Sequence, residues 1–379
     1  MKLRKKTVLA IAILMLSHTA SADINVGVVA SLTGAAAALG SDLNRVLPLL
    51  PATMGNEKVN YILLDDATDP STAVKVTRKL ITENKVDVII GPNINPNAAA
   101  MAQVVADAKT PLLLTTPYFP AEAEKRAWLF QPVQSAGLMV QRLVDDMVAS
   151  KVQTVGFIGF GDSWGDLLFA ELQRAAGAAN IKIVAAERFK RPDTSVTAQV
   201  LKVTAARPDV IFIGASGAPA ALPQIELRQR GYKGKIYQSH GVTTRDFLRI
   251  GGRHVEGALI PASPMLVAEQ LPASMASKEA GAKLNAAYEK RHGADSRSTF
   301  AGNTWDAALL LGNAVPAALK AGKPGTEEFR IALRAALERS KDVVGVNGTY
   351  TMSPADHNGL DQRARVLIEV KNGRWTYLK

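Results

Sequence analysis

Val86-Asp87-Val88-Ile89-Ile90-Gly91-Pro92-Asn93-Ile94-Asn95-Pro96-Asn97 reads as a short apolar strand, a turn, and the start of a helix. An apolar run of this length belongs to a strand buried on both faces, and such strands sit in parallel sheets covered by helices. The helix is expected over 97–108, with Asn97, or Asn95 ahead of Pro96, capping it. Pro111–Leu114 is the next strand. Upstream, Ile24–Ala30 is a strand followed by Ser31-Leu32-Thr33-Gly34 and a small-residue helix. Val59–Leu64 is a second strand that ends at Asp65-Asp66, and Pro70–Asn84 is a helix with Val74, Leu80 and Ile81 on one face. The alternation of strand and helix predicts a parallel sheet.

The pattern then repeats. Thr154–Ile158, Ile181–Ala186, Asp209–Ile213 and Lys235–Tyr237 read as strands, and Trp164–Ala179, Val196–Ala206 and Ala220–Arg230 as helices between them. Residues 277–339 are nearly all helical in pattern. Gly345–Met352, Arg365–Lys371 and Arg374–Leu378 read as antiparallel strands, the last two joined by the turn Asn372-Gly373. The reading is α/β, with two Rossmann-like lobes in series, each with a parallel-sheet core. In open sheets of this kind ligands bind beyond the carboxyl ends of the strands. Two facing lobes therefore make a cleft, and the loops after each strand are its walls.

Lys2, Arg4, Lys5 and Lys6, the uncharged apolar run Val8–Leu16, and Ala20-Ser21-Ala22 have the form of a cleavable signal peptide over 1–22, which places the mature start at Asp23 in the periplasm. The apolar run is too short to span a bilayer, which takes roughly 20 residues. The remaining 357 residues exceed a single core of about 250–300 residues, so two domains are expected. The formal charge of +11 falls to +7 once the four cations of the leader are removed. Lysine and arginine are dispersed among acids, with no basic tract or aromatic-interleaved stripe, and a nucleic-acid partner is not indicated. The absence of cysteine removes disulfides, thiolate catalysis, Cys-ligated metals and a lipidated N-terminal cysteine. No histidines pair at metal-ligand spacing; no metal or cofactor is expected.

Candidate ligand contacts follow from the carboxyl-end rule. Asn93 and Asn95 lie in the loop after Val86–Ile90, where free N–H groups at a helix start would hold a carboxylate. Thr115, Thr116, Pro117, Tyr118 and Phe119 follow Pro111–Leu114 and offer hydroxyls and rings. In the second lobe Trp164 follows the first strand, Ser216 the third, and His240 the strand Lys235–Tyr237. Gly159-Phe160-Gly161 resembles a dinucleotide loop but lacks the third glycine. Gly214-Ala215-Ser216-Gly217-Ala218 misses the G-x-S-x-G spacing of a nucleophile elbow by one residue, which argues against a serine hydrolase.

Several segments, in order and spacing, resemble the Leu/Ile/Val-binding proteins, the type I periplasmic binding components of ABC importers. They are Ile24–Gly27 with Ser31–Gly34, Asp65-Asp66-Ala67-Thr68-Asp69-Pro70, Val86–Pro92, Lys151–Gly159, Ala206-Arg207-Pro208-Asp209, Trp305-Asp306-Ala307-Ala308 and Gly345-Val346-Asn347-Gly348. The resemblance covers nearly the whole mature chain. It implies lobes of residues 23–136 with 263–342 and 137–262 with 343–379, joined by three crossovers near 134–138, 260–264 and 341–345. It implies a monomer that closes on a ligand without chemistry and delivers it to a permease and ATPase complex at the inner membrane. The ligand carboxylate would sit on the first lobe, at Asn95-Pro96 and Pro117–Phe119. Amino-acid binders of this kind carry an acid in the second lobe for the ammonium, and His240 stands at that position here. Ser216-Gly217-Ala218 replaces a tyrosine, and Leu39 replaces an aromatic in the first loop. Burying an ammonium without a partner costs several kcal/mol. The departures favour a carboxylate without an α-ammonium, an aromatic acid suiting Tyr118, Phe119 and Trp164. The alternatives are a branched-chain amino acid, with Asp162 serving the ammonium, and a ligand-sensing receptor domain.

Overall fold

The computed structural model describes residues 23–378, so the leader expected over 1–22 lies outside the described residues. The first sheet contains β1 (Ile24–Ala30), β2 (Thr53–Met54), β3 (Glu57–Asp65), β4 (Val88–Ile90), β5 (Leu112–Leu113) and β6 (Leu129–Phe130), in the order β2-β3-β1-β4-β5-β6. β1 is flanked in parallel by β3 and β4, so the chain order reverses at β1. Both faces of the sheet are buried, as the unbroken apolar run 86–90 requires. Val26, Val28, Val88 and Ile90 point to one core, and Val29 and Ile89 to another. Helices α1 (Ala37–Val46), α2 (Pro70–Thr82), α3 (Asn95–Asp107) and α4 (Ala123–Arg126) lie between these strands in sequence. α2 starts where expected: Pro70 fits its first turn, and Asp69 accepts from the Thr72 amide at 2.7 Å.

α5 (Ala136–Ala149) leads into the second sheet. Its strands are β7 (Thr154–Phe160), β8 (Lys182–Phe189), β9 (Val210–Gly214), β10 (Lys235–Gln238) and β11 (Leu259–Ala262), with α6 (Ser163–Ala178), α7 (Thr197–Ala205), α8 (Ala221–Gln229) and α9 (Arg245–Gly251) between them. α10 (Ser277–His292), α11 (Thr299–Ala318) and α12 (Glu327–Leu337) return to the first lobe, where Leu284, Leu311, Val315 and Leu333 join its core. The chain ends with β12 (Val343–Val344), β13 (Thr349–Tyr350), β14 (Val366–Lys371) and β15 (Arg374–Leu378). The second sheet runs β15-β14-β11-β10-β9-β7-β8, with β14 antiparallel to β11 and to β15.

The tail differs from expectation in one respect. Gly345–Met352 is not one strand; β13 pairs only with β12 in a separate two-stranded ribbon. Val346, Tyr350 and Met352 pack into the first lobe's core, although 343–379 was expected to belong with the second. The cause is Asp306 on α11. Its carboxylate accepts from the backbone amides of Val346 and Asn347, each at 2.9 Å, and from the Tyr350 hydroxyl at 2.7 Å. The ribbon is thereby held against the first lobe.

The chain passes between the lobes three times, and one buried residue meets all three passages. Asn347 accepts from Ser263 Oγ at 2.5 Å through its side chain and from Gln134 Nε2 at 3.3 Å through its carbonyl. Its own amide donates to Asn303 Oδ1 at 3.2 Å, and Asn303 donates on to the Thr115 carbonyl at 3.1 Å.

Candidate functional site

A small cavity lies between the lobes, at the carboxyl ends of the strands. Its position is the one the carboxyl-end rule anticipates. The lobes meet beside it: Thr243 Oγ1 of the second donates to Thr299 Oγ1 of the first at 2.8 Å. Eight of the sequence-derived candidates line it: Asn93, Asn95, Thr115, Thr116, Pro117, Trp164, Ser216 and His240. Tyr118 and Phe119, the latter 38% exposed, do not.

On the first-lobe wall, Gly91 turns the chain from β4 toward α3 at φ +114°, where a side chain would stand 2.1 Å from the Val29 carbonyl oxygen. Asn93 Oδ1 then accepts from the Ser31 amide at 2.8 Å, which fixes the orientation of the side-chain amide. Neither expected asparagine caps α3. The cap position is Ile94, with no side-chain bond, because Asn95 lies inside the helix and its amide reaches the Pro117 carbonyl at 2.6 Å. Thr116 Oγ1 donates to Asn95 Oδ1 at 2.5 Å, and Thr115 Oγ1 to the Pro92 carbonyl at 2.8 Å. These hydroxyls and the Asn95 amide tie the two loops to each other. Leu39 is in the first turn of α1 rather than a loop, packed with Ala36, Ile94 and Phe300.

On the second-lobe wall, α6 packs directly on the end of β7. A side chain at Gly165 would come within 1.9 Å of the Phe160 carbonyl oxygen, so glycine is what permits the approach. Asp162 caps the helix, accepting from the amides of Trp164 and Gly165 at 3.0 and 3.2 Å. Trp164 is thereby aimed into the cavity, its indole N–H donating to the Ala215 carbonyl at 3.3 Å. The His240 ring meets it edge-on, with centroids 5.2 Å apart.

Sequence reasoning missed Arg191, Thr299, Phe300 and Asn303, all of which line the cavity. Arg191 Nε donates to Asp162 Oδ2 at 2.6 Å, Nη1 donates to Ser216 Oγ at 3.0 Å, and the guanidinium lies 4.2 Å from the Phe160 ring centre. Among the described residues no Asp or Glu lines the cavity. Asp162, the acid considered for an ammonium, is consumed by its helix and by Arg191.

His240 Nδ1 and Asn93 Nδ2 are buried without hydrogen-bond partners among the described residues. Burial pushes the His240 imidazole down to about 4. Its folded pKa lies below the ordinary value of about 6.5, so it contributes stability above pH 6.5 that is lost as pH falls through 4. The shift is worth about 3 kcal/mol. We expect the stability difference between wild type and His240→Gln, measured by denaturant unfolding, to shrink by about this amount from pH 7 to pH 4. A difference that stays flat across that window would contradict a neutral buried imidazole.

Two lobes with parallel cores, three passages between them and a cavity at the facing strand ends define a two-lobed solute-binding protein. The chain belongs to the periplasmic binding protein family, whose description it matches over residues 23–374. The crystal structure of an extracellular ligand-binding receptor from Rhodopseudomonas palustris HaA2 is similar at 43% identity and a TM-score of 0.92, covering 94% of this chain and 100% of that one. The Leu/Ile/Val-binding protein BraC3 of Rhizobium johnstonii is 23% identical over 365 residues, 93% of each chain. An ABC transporter solute-binding protein from R. palustris, solved in complex with benzoate, shares the fold at 20% identity and a TM-score of 0.81, covering 94% of this chain and 96% of that one.

Proposed function

We propose that this chain is the solute-binding component of an ABC importer and that it captures a small carboxylate, an aromatic acid by preference, in the inter-lobe cavity. The observation that carries this reading is the charge of the lining: one guanidinium, one neutral imidazole and no acid. An α-ammonium has no partner there, and an unpaired buried charge costs several kcal/mol. A carboxylate has several donors. Trp164 and Phe300 supply flat apolar walls for a ring. The fold neighbour that holds benzoate is consistent with such a guest. Closure about the three passages buries the ligand, and the closed protein is the form offered to the permease at the inner membrane.

Calorimetric titration with leucine and with 4-hydroxybenzoate tests the reading. Binding of the aromatic acid with no response to leucine is expected. In a thermal-shift assay, a ligand at about 1,000 times its Kd adds about 4 kcal/mol of stability. Tight leucine binding with no response to aromatic acids would replace this reading with a branched-chain amino-acid carrier.

A further inference from the structure

We propose that the carboxylate is received in the second lobe, by Arg191 Nη2 and the Ser216 hydroxyl, and that Arg191 is the residue that selects for negative charge. The proposal rests on the functional reading above and reverses the end at which the family resemblance would place the carboxylate.

The second-lobe donors are preorganised. Asp162 takes Nε of Arg191 at 2.6 Å, and the Phe160 ring supports the plane of the guanidinium. The Arg191 side chain is only 11% exposed. Nη1 donates to Ser216 Oγ, which occupies an acceptor site on that oxygen and leaves its own proton free to donate. Nη2 has no partner among the described residues, and both Arg191 and Ser216 line the cavity. Two adjacent donors, one of them charged, suit the two oxygens of a carboxylate.

Asp162 does not cancel this preference. Its oxygen Oδ1 accepts two amides at the start of α6, a 16-residue helix whose positive end offsets the negative charge. Part of the Arg191 charge therefore remains for a ligand.

The first lobe is differently disposed. The hydroxyl protons of Thr115 and Thr116 and one N–H of the Asn95 amide are already donated within the protein. The unpartnered buried side-chain donor that lines the cavity there, Asn93 Nδ2, is uncharged. It suits a neutral oxygen of the ligand, such as a ring hydroxyl or carbonyl.

The test compares 4-hydroxybenzoate with its neutral isostere 4-hydroxybenzamide by calorimetry. Wild type is expected to favour the acid by roughly 100-fold, the scale of a pair of charge-assisted bonds. In the double variant Arg191→Gln/Asp162→Asn, which leaves no unpaired charge, acid affinity should fall roughly 100-fold and amide affinity by less than about threefold. The acid-to-amide ratio then collapses toward one. A purely structural role would weaken both ligands together and leave the ratio unchanged. Ser216→Ala, which removes one hydroxyl, should lower the ratio by roughly tenfold and guards against misfolding of the double variant. A ratio kept within threefold in Ser216→Ala, and in the double variant when its melting is cooperative, overturns the assignment while leaving the functional reading intact. Failure of the wild type to bind any aromatic acid overturns both.

Discussion

Asp306→Ala is expected to lower the stability of the folded protein at pH 7 by about 2–5 kcal/mol, the cost of orphaning two buried donors at about 1–3 kcal/mol each. Those donors are the amides of Val346 and Asn347, whereas the hydroxyl of Tyr350 keeps the Pro132 carbonyl at 2.9 Å. Asp306, Val346, Asn347 and Tyr350 are all fully buried, away from bulk solvent. The loss carries a pH signature. Burial pushes the Asp306 carboxyl up to about 6. A folded pKa above the unfolded value means that its protonation favours the folded state. That contribution is fully present below about pH 4 and is lost as pH rises through 6. The gap between wild type and Asp306→Ala should therefore be smallest above pH 6 and widen toward pH 4. Equilibrium unfolding in guanidinium at several pH values measures it. A loss below about 1 kcal/mol at every pH would show that the ribbon holds its place without the carboxylate.

Trp164→Ala is the second large effect, and it acts on both stability and binding. Trp164 is 3% exposed, and its ring packs in the second lobe's core as well as on the cavity. Truncation leaves a hole, leaves the Ala215 carbonyl with the Ser239 hydroxyl as its donor and removes the ring that His240 meets, for a cost of about 3–5 kcal/mol. Affinity for an aromatic acid should fall about ten- to hundredfold, from lost ring contact and a cavity that no longer fits. Trp164→Phe should recover most of the stability and part of the affinity. Unfolding curves and calorimetry on the same preparations separate the two effects. A Kd within threefold of wild type in Trp164→Ala would mean that the ring is scaffold and not wall.

The fold was legible because its signals are local. The run 86–90 had to be buried on both faces, and Asp69-Pro70 had to begin a helix. The carboxyl-end rule then selected loops that line the cavity, since a parallel sheet puts all of those loops on one side. Arg191 escaped for a definable reason. The strand before it was read as ending at Ala186, whereas β8 continues to Phe189 through Glu187 and Arg188, polar residues on a half-covered edge strand. The true end lies two residues from Arg191. Thr299, Phe300 and Asn303 escaped because they begin a helix that follows no strand, and the rule is blind to such residues. The capping expectation failed because an asparagine's side chain can be claimed by a neighbouring loop, which the local sequence does not show. Some motif residues also proved to be scaffold. Asp65 and Asp66 accept from the loop after β1, through Thr33 Oγ1 at 2.7 Å and Ser31 Oγ at 2.6 Å, and thereby shape the wall from behind.

Asn347 fastens the three interlobe passages at a single buried point, and this decides how the molecule can gape. Strands held at separate places could each bend on their own, and the halves would be free to slip sideways or twist. Fastened together, they are expected to act as one axle. The halves would then swing about it like the covers of a book, with the spine shut while the fore-edge parts. A solute then has one way in and the same way out, and the wall formed by Asn303 beside the spine is the last to be reached by water when the covers open.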